Sequence, residues 1–379
     1  MKKFLILILP FLVIFATLNI RVVKAETLNE NIENQLEKID FSDLSNFFEE
    51  NGQDYFVANL EKLLKGNYDF SFNNIKESIK NLILNDFRSL LPTFFITLSI
   101  VLICEIFNIM KGNSLSKQTT QIVNSVCFIS VFSLVIIEII KVFQNTINII
   151  ENIAKLNEIM SPIILTLMIA SGGSVSANIY KPTVAFLSSG ITSIFLNILV
   201  PIVGVMFVFN ILSGISTSIK LDKFMDTLSG VFKWIMGISI TVFTVFLSIQ
   251  GLSSASFDGI SLKAAKYAIS NSIPIVGGFI RDGFDLVIAG SLIIKNAVGL
   301  SSLFCLFYIV ISPLLFIFTL STMLKFFAGI IELFSSVTIS SVLIKCSKTL
   351  SYLTAIILVV SLIFFVTVLL MIVSANSFI

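Results

Sequence analysis

The sequence predicts an all-α protein that crosses a membrane several times, with a short exported helical segment at its N-terminus. Three observations carry this. Residues 350–373 hold no charged side chain, and ~20 apolar residues suffice for a helix to cross the hydrocarbon core of a bilayer. Several other apolar runs beyond residue 90 meet or approach that length. The chain is 56% hydrophobic and only 13% charged, with a mean hydropathy of +0.98, which is more apolar surface than a soluble fold of 379 residues can bury.

The first 25 residues read as a signal peptide. Lys2 and Lys3 precede an apolar stretch from Phe4 to Leu18, and Val23 and Ala25 give the small-residue spacing of a cleavage site ahead of Glu26. A retained membrane anchor is the other reading. Residues 26–89 then carry 13 acidic against 6 basic residues, a net charge of −7, whereas residues 90–379 are net +5. An acidic segment behind an export signal fits the extracytosolic side, since basic residues are the ones held inside. Leu28, Ile32, Leu36 and Ile39 recur at helical spacing, as do Ile75, Ile79, Leu82 and Ile83. This segment is expected either to pack on the membrane portion or to dock another protein.

The membrane region, residues 90–379, divides into runs. Spans are expected at about 90–110, 122–143, 183–213, 234–252, 300–324 and 350–374. Pro201 is placed to kink the third. A polar amphipathic stretch, 144–158, precedes 161–173, which looks too short to span and ends in Gly172 and Gly173. A re-entrant or broken helix is expected there, because irregular backbone survives at membrane depth only under protein or water cover. With residue 26 outside and 161–173 re-entrant, eight basic residues fall inside and seven outside, Lys295 among the latter. That margin does not decide the topology.

Composition removes several classes of function. The chain has no histidine, so a Ser-His-Asp arrangement and His-containing metal sites are excluded. Cys104, Cys127, Cys305 and Cys346 form no CxxC pair and read as small buried hydrophobes. No P-loop sequence occurs, so transport would draw on an ion gradient or a partner ATPase. No cofactor is expected. An intramembrane hydrolase would need a positioned partner for its nucleophile, and only Asp282 and Asp285 lie close in sequence.

Two glycine-rich broken segments, 161–182 and 272–299, hold the candidate functional residues. The second, SIPIVGGFIRDGFDLVIAGSLIIKNAVG, sets Gly277, Gly278, Gly283 and Gly290 among apolar residues and compresses Arg281, Asp282 and Asp285 into five positions. Arg281 and Asp285 stand i, i+4 and can pair on a helix face. Charges beside apolar membrane segments are costly unless paired or turned to a polar cavity. A re-entrant hairpin lining a pore or closing an interface is one reading, and a surface helix in the headgroup region is the other. In ASGGSVSANIYKP, Gly172 and Gly173 mark a sharp break between membrane segments. Glu105 and Glu138, near span ends, are expected to snorkel.

The order of these parts, with SPIILTLMIASGGSVSANIYKP followed by SIPIVGGFIRDGFDLVIAGSLIIKNAVGL, resembles the stage III sporulation protein AE family. The resemblance implies a multi-pass subunit in the mother-cell membrane that surrounds the forespore. It implies a non-enzymatic part in a channel complex joining the two cells after engulfment, a secretion-like apparatus whose ATPase is another subunit. The implied partners are the other stage III A operon proteins and stage II protein Q, with no nucleic acid. The alternative is an autonomous ion-coupled transporter or permease. It rests on the paired broken segments, although no internal repeat relates the two halves.

Overall fold

The computed structural model describes residues 43, 46–47, 72–110, 117–215, 221–272, 277–334 and 337–374. The signal segment lies outside the described residues. So does the acidic segment up to residue 71, apart from Asp43, Asn46 and Phe47. The described fold is helical throughout: α1 Phe72–Met110, α2 Lys117–Ala170, α3 Ser174–Ile215, α4 Asp222–Ser272, α5 Gly277–Glu332 and α6 Val337–Val373. Among the described residues there is no strand. Each helix contains a stretch long and apolar enough to cross a membrane, and the six coincide one for one with the spans read from the sequence.

The bundle is built around α5 and α6. Within their most apolar windows 56% and 61% of residues are buried, against 22% in α1 and in α4, so the last two are peripheral. α5 and α6 are antiparallel: Ser321 and Ser347 share a 2.8 Å hydroxyl contact near one end, and Gly299 faces Ile372 near the other. Asn210 of α3 donates to Thr349 of α6 at 2.7 Å. Asn157 of α2 donates to the Ser188 hydroxyl at 2.7 Å and accepts from Ser161 at 3.0 Å. Hydrogen bonds between membrane helices average ~0.6 kcal/mol. They fix register, while the many buried Ile, Leu, Val and Phe side chains supply most of the packing energy.

Three expectations change. Residues 161–170 are not a separate re-entrant piece, because α2 runs unbroken from Lys117 to Ala170. The stretch 144–158 continues the helix since its charges are confined to one face: Ile149, Ile150, Ile153 and Leu156 are buried, while Gln144, Asn148, Glu151, Lys155 and Glu158 point outward. Residues 277–299 form no hairpin either. They are the first half of the continuous helix α5. Interior glycine costs a helix ~1 kcal/mol, but here it permits close approach, for a Cβ on Gly299 would lie 2.7 Å from Ile372 Cδ1 and nearer still to Cγ1. Finally, Glu138 does not snorkel: it is buried and pairs with Lys141 at 3.1 Å.

Helix α3 departs from α geometry twice, in π-helical stretches at Phe186–Ile191 and Phe195–Leu199. The second ends just before Pro201. A proline ring clashes with the carbonyl four residues back, and the wider turn, in which the Val200 amide donates to the Phe195 carbonyl, moves that carbonyl aside. α1 likewise joins what the sequence divided, since residues 72–89 of the acidic segment continue straight into the first span. Cys127, Cys305 and Cys346 are buried, Cys104 is half-buried, and none of the four is in a disulfide.

Candidate functional site

The break after α2 is a tight reversal made possible by its two glycines. The Gly173 amide donates to the Met168 carbonyl at 2.8 Å and the Gly172 amide to the Ile169 carbonyl at 3.0 Å. This is the bonding of a Schellman helix end. It requires a left-handed residue at Gly172, whose φ is 90°, a conformation open to glycine at little steric cost. Gly173 then becomes the N-cap of α3, with its carbonyl accepting from the Ala177 amide at 2.9 Å.

A glycine N-cap has no side chain with which to satisfy the first free amides of the helix. Asp258 of α4 does so from 82 residues away. Its carboxylate accepts from the Val175 amide at 2.9 Å, from the Ser176 amide at 3.2 Å and from the Ser176 hydroxyl. Asp258 is fully buried. The three donors, with the positive end of the helix dipole, are what let a carboxylate reside there without water.

The opposite arrangement closes α6. That helix ends at Val373, leaving carbonyls without intrahelical partners. The buried Lys295 ammonium of α5 donates to the Ser374 carbonyl. The Tyr180 hydroxyl of α3 pairs with the Ser374 hydroxyl at 2.9 Å. A cation at a helix C-terminus is electrostatically favoured. Val175 and Tyr180 are five residues apart on α3, ~7.5 Å at 1.5 Å rise per residue. The two buried charges therefore cap helices in one neighbourhood and tie α3, α4, α5 and α6 together at one end of the bundle.

The residues singled out from the sequence fall unevenly around this knot. Gly172 and Gly173 form its turn. Asp285 and Gly290 lie on α5, ten and five residues before Lys295, with Gly290 buried and Asp285 half-buried. Gly277, Gly278, Arg281, Asp282 and Gly283 belong to the first turns of α5, and their side chains are outside the described residues, as is any Arg281–Asp285 pairing. Asp258 and Lys295 escaped the sequence reading. Lys295 falls among the outside basic residues of the topology read from the sequence, yet it is a lone charge in SLIIKNAVG, and that isolation among apolar neighbours is the available signal. Asp258 sits in an ordinary polar stretch, and its role depends on a glycine distant in sequence.

The chain was compared with known proteins. The family model for stage III sporulation protein AE matches residues 56–375. Stage III sporulation protein AE of Bacillus subtilis (strain 168) is 28% identical over 281 residues, covering 73% of this chain and 69% of that protein. No solved structure matches. The matched region takes in all six helices, the glycine turn and both buried caps: this chain belongs to the stage III sporulation protein AE family.

Proposed function

We propose that this protein is a non-enzymatic membrane subunit of the channel complex that joins mother cell and forespore and is required for endospore formation after engulfment. It would sit in the mother-cell membrane around the forespore. Its partners would be the other stage III A operon proteins and stage II protein Q, with ATP hydrolysed by another subunit. The family match over residues 56–375 carries the reading. The use of the described buried charges as helix caps, rather than as a reactive group in a cleft, supports a scaffold or channel role. Deleting the gene should leave vegetative growth intact and arrest sporulation after engulfment. A deletion strain that forms heat-resistant spores at the parental frequency would refute it.

The second reading, an autonomous ion-coupled transporter, is favoured by one observation, the presence of ionisable groups buried at helix ends inside a membrane bundle. Purified protein in liposomes separates the two. The channel-subunit reading expects no ion-driven solute uptake by this chain alone. Uptake that disappears in Asp282→Asn or Asp285→Asn would establish the transporter.

A further inference from the structure

The outer face of α2 is out of character with its depth in the bundle. Between Lys141 and Glu158 it exposes Lys141, Gln144, Asn148, Glu151, Lys155 and Glu158, a stripe ~26 Å long at 1.5 Å per residue. Contacts made by the opposite face of α2 fix the depth of this stripe. Phe143 packs on Phe207 of α3 with ring centroids 5.5 Å apart, and Asn157 bonds Ser188. Ile153 and Asn157 share the wall of a cavity of about 20 Å³ with Val360 and Phe364 of α6. The stripe, on the opposite side of α2, therefore lies level with the middle of the charge-free stretch of α6, residues 350–373, and faces away from it.

At that same depth the other flank of the bundle is largely apolar. α4 is placed by Phe232 against Tyr352, at 4.8 Å, and by Phe246 against Phe186, at 5.1 Å. Between those contacts it exposes Trp234, at 69%, with Ile238 and Val245, and α3 adds Val205 and Val208; the one exposed charge, Lys233, lies beside the Phe232 contact at the end of this stretch, and exposed Thr241 and Thr244 bond their own helix carbonyls. One flank suits lipid. The α2 flank does not, because each charged side chain at the centre of a bilayer-spanning helix costs ~2.5–3.5 kcal/mol.

A second observation concerns what already rests on the stripe. Phe47, from the acidic N-terminal segment, is buried there, with the Lys155 ammonium 5.5 Å from its ring centroid. Asp43, Asn46 and Phe47 border an open cleft of about 390 Å³ together with Lys155, Glu158 and Ile159. A cleft bordered by Asp43, Asn46, Lys155 and Glu158 belongs in water and not in lipid. That cleft marks the α2 flank as a polar one.

We propose that the Lys141–Glu158 face of α2 is the wall of a water-filled path for ions or small hydrophilic solutes, while the α3–α4 flank is turned to lipid. A single stripe encloses nothing, so the path closes only when further subunits supply the remaining walls. The proposal rests on the channel reading above and assigns the lining to α2 instead of the glycine-rich start of α5.

Single cysteines at Gln144, Asn148 and Glu151, and at Trp234, Ile238 and Val205 as counterparts, test it in the full-length protein in native membranes. The parent chain, whose cysteines are buried or half-buried, gives the background. A membrane-impermeant maleimide, applied to vesicles of both orientations, should label the α2 positions at least roughly tenfold faster than the α3–α4 positions, as expected for water against hydrocarbon. Labelling of the α2 positions as slow as that of Trp234→Cys overturns the proposal, whether lipid or a dry protein contact covers the face. Equally fast labelling on both flanks also overturns it, since the sidedness is then absent. Either failure in a strain that still requires the gene to sporulate leaves the channel reading intact, so the two are separately decided.

Discussion

Asp258→Ala should destabilise the folded protein by ~3 kcal/mol or more, because it strands three buried donors at ~1–3 kcal/mol each. The substitution strands the Val175 amide, the Ser176 amide and the Ser176 hydroxyl in a site without solvent. Each buried unsatisfied group costs ~1–3 kcal/mol, and no side chain of α3's own N-cap, Gly173, can replace the lost acceptor. Asp258→Asn keeps the shape and one acceptor oxygen but turns an amide donor toward other donors, so it should fall between Asp258→Ala and the parent. Ser176→Ala removes only the hydroxyl bond and should cost ~1 kcal/mol. Thermal loss of monodisperse protein in detergent reads the order. Parental stability of Asp258→Ala would show that the end of α3 is not held by this carboxylate.

Gly299→Leu should be nearly as damaging, for a steric reason. A Cβ at this position already collides with the Ile372 side chain on α6, and both residues lie in the buried core between α5 and α6. Overpacking a well-filled core costs ~1–3 kcal/mol and sometimes more. The smaller change Gly299→Ala gains ~1 kcal/mol of helix propensity but still forces Ile372 to move. Pairing Gly299→Ala with Ile372→Ala should therefore be less harmful than the sum of the two, by ~1 kcal/mol or more, as contacting residues generally show. Strict additivity would mean that the helices do not meet here. The same assay in detergent reports the result, and the level of protein in membranes gives an independent check.

The family's likeness was legible in the order of the parts, and the spans were legible in hydropathy alone, because lipid imposes its length and apolarity on every crossing segment by itself. Their junctions were less so. The stretches 144–158 and 277–299 read as interruptions since their charges and glycines lower local hydropathy. Helical continuity depends instead on which face those residues occupy, and Ile149, Ile153 and Leu156 turn inward while Glu151 and Lys155 turn outward. Gly172 and Gly173 marked the reversal correctly because positive φ is a property of the residue itself.

What the sequence determined without help was the class of protein, six membrane-crossing stretches and the position of the sharpest turn. Each follows from a cost paid locally, by one segment in lipid or one residue in a turn. What only the tertiary structure decided was where the buried charges go. Asp258 finds the bare N-terminus of α3 and Lys295 the open C-terminus of α6, and the polar face of α2 comes to lie level with the middle of the most apolar helix. Those outcomes depend on contacts between residues tens to more than a hundred positions apart. Hydropathy sums over neighbours in the chain, so it carries no term for a donor that one helix lends to another.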